Sequence, residues 1–293
     1  MISSANKTLS LQKIDRILVW LLRILATVAG AIVVQIFIFL FLESWPILQK
    51  MGVFPFLLDR TWLPSKGLYS LMPMLLGTLF VVGGALVLAA PLGILSALFC
   101  RFYAPPFLAG LYRHLLELLV GIPGVVYGFW GLVVLVPWLN QFQPPGSSLM
   151  AGILILGLMA LPTIALTTEA SFAEVPVEYL RAATALGLSR WSIIWGVVLP
   201  AARSGVFASF ILGAGRALGE TMVVLMVCGN IVQIPRSLFD PIRTLPANIA
   251  LEMAYALGDH RAALFASGLL LLLVSLVLVG IAEAIAEKEI YGR

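Results

Sequence analysis

The feature that most constrains this chain is a series of six long apolar runs. They cover residues 17–42, 72–99, 115–138, 149–168, 203–228 and 263–282. A helix of about 20 apolar residues crosses the hydrocarbon core of a bilayer and satisfies its own backbone hydrogen bonds there. Only 11% of the 293 residues are charged, whereas soluble domains carry about 25%. The sequence therefore predicts an all-α, polytopic membrane protein with six transmembrane helices.

The distribution of lysine and arginine predicts the orientation of these spans. With both termini inside, the inner segments hold eleven basic residues: Lys7, Lys13, Arg16, Arg23, Arg101, Arg113, Arg181, Arg190, Arg203, Lys288 and Arg293. The outer segments hold six: Lys50, Arg60, Lys66, Arg236, Arg243 and Arg261. Because basic residues concentrate on the cytoplasmic side, we expect cytoplasmic N and C termini. The first run exceeds the core of a signal peptide, about 7–15 residues, so we expect a retained span.

The segments around the runs differ in character. Residues 43–70 are mixed and carry Trp45 and Trp62, which favours an external loop with an interfacial helix. Within the third run, the stretch 121–124, GIPG, predicts a broken or bent helix. The segment 229–262 is expected outside, with a helix in its ANIALEMAYALG stretch.

The longest amphipathic interruption is the segment 169–202, which we call the docking loop. Pro176 suits the first turn of a helix, and Gly187 is placed to end that helix with a positive φ. Ser189 can cap a second short helix, which stops before Pro200. Two short helices with an exposed apolar edge fit a groove on another protein. We therefore interpret this loop as a docking element without chemistry of its own.

The spacing within the docking loop resembles the cytoplasmic EAA loop of ABC-importer permeases, E-A-A-x3-G-x9-I-x-L-P. The matching positions are Ala182, Ala183, Gly187, Leu199 and Pro200, with Val197 in place of isoleucine. Arg181 stands where the family has glutamate, and Glu178 lies one turn earlier. The resemblance implies that the loop couples this chain to a dimer of ATP-binding subunits.

The chain itself lacks the G-x-x-x-x-G-K-[ST] phosphate loop of ATPases. We therefore expect that it is not an enzyme, that it binds no cofactor, and that ATP and its Mg²⁺ are used by the partner subunit. His114 is expected in a short inner loop with Arg101 and Arg113, and His260 is isolated from it, so no metal site is predicted.

The fifth run carries charges deep within a span, in the stretch ILGAGRALGETMVV. Arg216 and Glu220 are spaced i, i+4, which predicts that they share one helix face. Charges at mid-membrane are costly and face a cavity or a partner. Arginine offers a planar fork of donors that fits oxyanions, and Thr221 adds a neutral hydroxyl. Two interpretations stay open: a structural ion pair between helices, or an anion-binding station on a translocation path.

Two stretches, GRALGETMVV and the 117–131 segment ELLVGIPGVVYGFWG, resemble the phosphate-specific (Pst) ABC transporter permeases of the PstC type. This resemblance implies the type I ABC-importer permease fold and half of a pathway for inorganic phosphate. It also implies a second, PstA-type permease subunit in a heterodimer, an external phosphate-binding protein and the inner membrane of a prokaryote. Lipid is then the surrounding medium, and no nucleic acid is expected as a partner.

The resemblance also organises the chain into parts. Residues 1–71 are expected to form a cytoplasmic segment, the first span and an external loop. Residues 72–285 form the permease domain with its docking loop, and residues 286–293 form a cytoplasmic tail. The alternatives are a permease for another oxyanion, such as sulfate, molybdate or phosphonate, and a membrane-embedded signalling scaffold.

Overall fold

A computed structural model describes the backbone from Ile2 to Tyr291 and the side chains of residue 16 and residues 18–281. Within that part of the chain the structure is helical, with two isolated β-bridges. The side chains of the tail predicted at 286–293, and those of Lys7 and Lys13, lie outside the described residues.

Thirteen α-helices follow one another along the described backbone. In chain order they are α1 (Ile2–Met51), α2 (Val53–Leu58), α3 (Met72–Leu98), α4 (Pro106–Gly121), α5 (Gly124–Trp130), α6 (Val136–Asn140), α7 (Leu149–Ala173), α8 (Val177–Ala185), α9 (Arg190–Ile193), α10 (Leu199–Leu218), α11 (Met222–Val227), α12 (Leu245–Glu252) and α13 (Gly258–Tyr291). A short 3₁₀ turn covers Pro64–Lys66.

Five helical segments of the described chain are long and apolar enough to cross a membrane: Leu18–Met51, Met72–Tyr103, Leu149–Ala173, Arg190–Leu218 and Gly258–Ile281. Helix α4 and the segment Gly124–Asn140 form a sixth candidate, bent by 92°. The predicted all-α fold with six spans is therefore confirmed when this bent pair counts as one span.

The third span breaks where the sequence predicts it. Ile122 has an extended backbone, because the residue before a proline avoids the α region, and Pro123 follows with φ −59° and ψ 139°. The span begins earlier than expected, at Pro106, so Arg113 and His114 lie within α4 and not in an inner loop. The reason is that Pro106 occupies the first helical position, where its missing N–H has no partner to lose.

Three π-helical turns each end two residues before a proline. They are Phe99–Tyr103 before Pro105, Gly131–Leu135 before Pro137, and Ile194–Val198 before Pro200. A proline ring meets the carbonyl four residues earlier in a regular α-helix, and a widened turn lies at that place in each case. The second docking helix therefore does not stop before Pro200, as predicted, but continues from α9 into α10.

The first helix also extends further than expected. Residues 43–51, predicted as external loop, belong to α1 despite Pro46 inside it. Ile47 is fully buried with Phe56 and Trp62 in one apolar cluster, so tertiary packing outweighs the proline's local penalty. Beyond Met51, helix α2 matches the predicted interfacial helix in position.

Helix α1 packs along α13, the last helix of the chain. Phe39 makes an edge-on ring contact with Phe265 at 5.5 Å between centroids. Leu40 lies beside Gly268, where an added Cβ would be 3.6 Å from its Cδ2. An ion pair between Lys50 and Asp259 joins the two helices at one end.

The helices that position the site are α3, α7 and α10. Small residues allow them to approach closely, as is usual between membrane helices. A Cβ added at Gly93 of α3 would lie 2.9 Å from Cγ2 of Ile164 on α7, and one added at Gly213 of α10 would lie 2.7 Å from the same side chain. This tight contact fixes Thr163 of α7 relative to Arg216 of α10.

Candidate functional site

Arg216 lies in the last turn of α10 and contacts two other spans. Its Nη1 donates to Thr163 Oγ1 at 3.0 Å, and its Nη2 donates to the backbone carbonyl of Val120 at 3.4 Å. Val120 belongs to the last turn of α4, whose carbonyls have no partner within the helix. The negative end of the helix dipole also favours a cation there. Arg216 therefore caps α4 from a neighbouring span.

Glu220 does not share a helix face with Arg216, so the i, i+4 prediction is wrong. Helix α10 ends at Leu218, and Glu220 lies in the break between α10 and α11. Glu220 Oε1 accepts a hydrogen bond from the backbone N–H of Val223, in the first turn of α11, at 3.3 Å. The glycine at 219 disfavours helix, and this capping bond favours a new start. No ion pair joins Arg216 to Glu220 within the described residues.

The break in the fifth span lies against the break in the third. A Cβ added at Gly124, the first residue of α5, would lie 2.9 Å from Glu220 Oε2 and 3.1 Å from Oε1. The glycine is thus what lets the carboxylate rest on the start of α5. Thr221 Oγ1 donates within its own turn, to Gly219 O at 3.3 Å. The hydroxyl that contacts Arg216 is therefore that of Thr163.

A groove of about 600 Å³ opens beside Arg216. Its walls come from α7, α10 and α13 and are mostly apolar, with Thr163, Arg216 and Ser275 as the polar members. A cation at the wall of an apolar groove is a place where an anion can be held. The sequence signal for Thr163 is a hydroxyl next to Pro162 within the fourth apolar run, whose other hydroxyls, Thr167 and Thr168, lie at its end.

The turn that ends α8 and the cap that begins α9 have the backbone that the sequence predicts. Gly187 has φ +74°, and helix α8 ends in a Schellman motif: Gly187 N–H donates to Thr184 O at 3.0 Å and Leu188 N–H to Ala183 O at 3.2 Å. Ser189 Oγ accepts from Ser192 N–H at 3.2 Å, which caps α9. Pro176 is the residue just before α8.

One side of this loop packs on the bundle and the other is exposed. Ala183 is buried with Ile194 and Val198, in the turn that leads to Leu199 and Pro200. The exposed side carries Glu178, Arg181, Ala182, Leu186, Trp191 and Trp195. Leu186 is 79% exposed. Neither Glu178 nor Arg181 makes a hydrogen bond or an ion pair within the described residues, so both are open to a partner.

An ion pair that the sequence did not reveal holds the start of the docking loop. Arg113 of α4 donates to both carboxylate oxygens of Glu169, near the end of α7, one of these bonds being Nε to Oε2 at 3.3 Å. These two residues are far apart in the chain, and neither their spacing nor a local motif links them. Within the described residues, no three His, Cys, Asp or Glu side chains form a metal-binding group.

Residues 89–290 match the family of binding-protein-dependent transport system inner membrane components. This match covers more than half of the chain, which therefore belongs to that family of membrane transport proteins. The predicted ABC-importer permease class is thereby confirmed.

Individual relatives match over most of this chain and indicate a subgroup of the family. The phosphate transport system permease protein PstC of Mesorhizobium japonicum is 35% identical over 266 residues, covering 83% of this chain and 81% of the relative. PstC of Pasteurella multocida is 33% identical over 266 residues, covering 84% and 83%. The probable ABC transporter permease protein YqgH of Bacillus subtilis is 37% identical over 264 residues, covering 87% and 85%. The predicted resemblance to PstC-type permeases is confirmed.

Solved structures support the fold. The inward-facing MetNI methionine ABC transporter matches with a TM-score of 0.54 at 19% identity, covering 73% of this chain and 94% of the matched chain. A bacterial ABC transporter that imports the acidic polysaccharide alginate matches with a TM-score of 0.56 at 16% identity, covering 74% and 79%. At this level of identity the likeness concerns the fold alone, which is that of ABC-importer permeases.

Proposed function

We propose that this chain is a permease subunit of an ATP-driven importer and forms half of the transmembrane pathway for inorganic phosphate. The observation that carries the proposal is the state of Arg216. Its guanidinium group borders a groove between spans and contacts a hydroxyl and a carbonyl, but no carboxylate within the described residues. A membrane cation without a counter-ion favours the anion-binding interpretation over the structural ion pair.

The three predicted pathway residues have different roles in this proposal. Arg216 binds the anion through its planar fork of donors. Glu220, which already accepts one hydrogen bond from Val223 N–H, accepts another from the proton that phosphate keeps at neutral pH. Thr221 holds the turn that separates them. The PstC relatives, whose names specify phosphate transport, support this substrate.

The proposed complex contains several partners, one of which binds the exposed docking loop. In the proposal a dimer of ATP-binding subunits, which use ATP and Mg²⁺, binds Leu186 and Trp191 on its exposed side. A PstA-type subunit completes the pathway as a heterodimer, and an external phosphate-binding protein delivers the ligand. One matched structure is that of a bacterial alginate ABC transporter in complex with an alginate-bound periplasmic protein. The complex lies in the inner membrane of a prokaryote, and the division into 1–71, 72–285 and 286–293 stays part of this proposal.

Replacing Arg216 tests the substrate site. Arg216→Gln removes the charge, and hydrogen bonds to charged groups contribute about 1.5–3 kcal/mol each. We expect uptake of labelled phosphate to fall by at least about a hundredfold in proteoliposomes that contain the whole complex. Arg216→Lys, which keeps a point charge but loses the fork, should retain a measurable part of it. Normal uptake by Arg216→Gln would show that the anion is bound elsewhere.

Reporter fusions test the orientation. We expect an external reporter after residues 60, 145 and 245, and a cytoplasmic reporter after residues 107, 185 and 290, as the eleven-to-six basic-residue asymmetry predicts. The fusion after 185 lies at the end of α8 and is the decisive one. An external signal there would remove the docking loop from the side on which ATP is found.

A further inference from the structure

Helix α4 joins the docking loop to the candidate anion site. Near its middle, Arg113 forms the two-bonded ion pair with Glu169. The Glu169 side chain is only 7% exposed, while that of Arg113 is 50% exposed. A buried carboxylate held by two nitrogens of a guanidinium group fixes direction as well as distance. Glu169 is also the first residue of the docking loop, so this pair ties α4 to the loop's attachment point on α7.

At its other end α4 is held by the site itself. The carbonyl of Val120 accepts from Arg216 Nη2 at 3.4 Å, and that of Leu119 accepts from the Tyr127 hydroxyl at 2.9 Å. Arg113 and Val120 are two helical turns apart, about 10 Å along the axis. The same rigid element therefore contacts the docking loop at one point and the anion-binding arginine at the other.

Little else fixes the position of α4. Leu116 is its only buried residue. One further polar contact, between the hydroxyl of Tyr112 and that of Ser96 at 2.6 Å, reaches α3. Because α4 buries only one side chain within this chain, its polar contacts at Arg113 and Val120 have a large share in its placement.

We propose that Arg113 is a positioning residue for coupling: through its ion pair with Glu169, it makes the docking loop respond when an oxyanion occupies Arg216. This rests on the proposed function of Arg216. An anion that takes the Nη2 donors of Arg216 displaces the carbonyl of Val120, so binding loosens the end of α4, which Tyr127 still holds at Leu119. The shift of α4 then reaches the last turn of α7 through the ion pair, and the ATP-binding subunits sense it at the docking loop. Arg113 touches no ligand.

The test uses the complete complex in liposomes, with its ATP-binding subunits, second permease subunit and binding protein. ATPase activity is measured without phosphate and across a phosphate titration, for Arg113→Gln, Glu169→Gln and the exchanged pair Arg113→Glu with Glu169→Arg. In the single variants we expect the half-saturating phosphate concentration to stay within about twofold of that of the unmodified protein. The phosphate-dependent increase in ATPase activity should be about tenfold smaller. The exchanged pair should recover at least about half of it.

Arg101→Gln is the matched control. Arg101 is exposed, lies just before α4 and makes no hydrogen bond or ion pair within the described residues. It should behave as the unmodified protein. A normal phosphate-dependent increase in Arg113→Gln overturns the proposal. So does an exchanged pair that is no better than the single variants, because the ion pair itself would then be irrelevant.

A milder change distinguishes a role of Arg113 in coupling from a purely structural role. If Arg113→Gln fails to assemble, Arg113→Lys keeps the charge and loses the two-bonded geometry. Reduced coupling in an assembled Arg113→Lys complex, at unchanged half-saturation, supports the proposal, and full coupling overturns it.

Arg216→Gln distinguishes failure of the link from failure of the site. If Arg216→Gln loses uptake while Arg113→Gln keeps full coupling, the anion site is supported and the proposed coupling through Arg113 is refuted. Normal uptake in Arg216→Gln removes the anion site and with it the proposed signal, even if Arg113→Gln is uncoupled.

Discussion

The backbone of the docking loop and the intramembrane charge site are shaped by hydrogen bonds of very different range. In the loop, each bond that shapes the backbone joins residues at most five positions apart, as from Leu188 to Ala183. At the charge site, Arg216 bonds to Thr163 and to Val120, 53 and 96 positions away. A local structure can thus survive rearrangement of the bundle, whereas the charge site exists only when three spans are packed together.

This difference suits the two proposed roles. A docking element keeps its shape while its surroundings change, and a site on a transport path has to change with the packing of its spans. The variants below separate the two regions, because each disturbs one kind of contact and leaves the other in place.

Among the variants that compare the two regions, the largest effect is expected at the long-range site, from Gly124→Val. A Cβ there would lie 2.9 Å from the Glu220 carboxylate, and overpacking of this kind costs about 1–3 kcal/mol. Phosphate uptake should fall at least tenfold, about 1.4 kcal/mol or more, while the ATP-binding subunits still bind. The matched control is Gly121→Val, since a Cβ at Gly121 has nothing within 4 Å. Equal uptake by the two variants would show that the contact with Glu220 is unimportant.

A smaller effect is expected in the docking loop, from Gly187→Val. Its φ is +74° and a Cβ would meet nothing within 4 Å, so the penalty is conformational, about 1–2 kcal/mol. We expect weaker binding of the ATP-binding subunits, by about five- to thirtyfold, with normal insertion. Gly187→Asn serves as the control, because asparagine tolerates positive φ. If valine and asparagine weaken binding equally, the side chain's presence at the surface, and not the backbone, is what matters.

The smallest effect is expected in anion selectivity, from Glu220→Gln. Glutamine can still accept from Val223 N–H, but its amide can also donate to sulfate, which has no proton of its own. Inhibition of labelled phosphate uptake by excess sulfate should therefore strengthen by a few fold, less than about 1.4 kcal/mol. Glu117→Gln removes an exposed carboxylate of α4 and should leave the inhibition unchanged. An unchanged inhibition in Glu220→Gln would reduce Glu220 to the cap of α11.

Much of the fold is predictable from the sequence because membrane spans obey local rules. The bounds of α3 and α7 agree closely with the apolar runs, and the break at Pro123 follows from backbone chemistry. The extension of α1 past residue 43 does not follow, because it depends on burial of Ile47 against distant residues.

The candidate site is predictable only in its residue types. Periodicity places Arg216 and Glu220 on one helix face, but that rule presumes an unbroken helix, and the helix ends at Leu218. The partners that replace this pair, Thr163 and the carbonyl of Val120, lie on other spans. A backbone carbonyl has no signature in any sequence, so this contact is visible only in three dimensions.

The contact between α1 and α13 has a consequence for how the protein is made. Phe39 packs on Phe265, which the ribosome adds roughly 230 residues later, about 10–45 seconds at 5–20 residues per second. Throughout that interval the first helix stands in the bilayer before its partner exists. The helix is stable without that partner because none of its most apolar stretch is buried inside the bundle. Lipid therefore surrounds it from the start. The last span to be synthesised is thus the one that gives the first its neighbour.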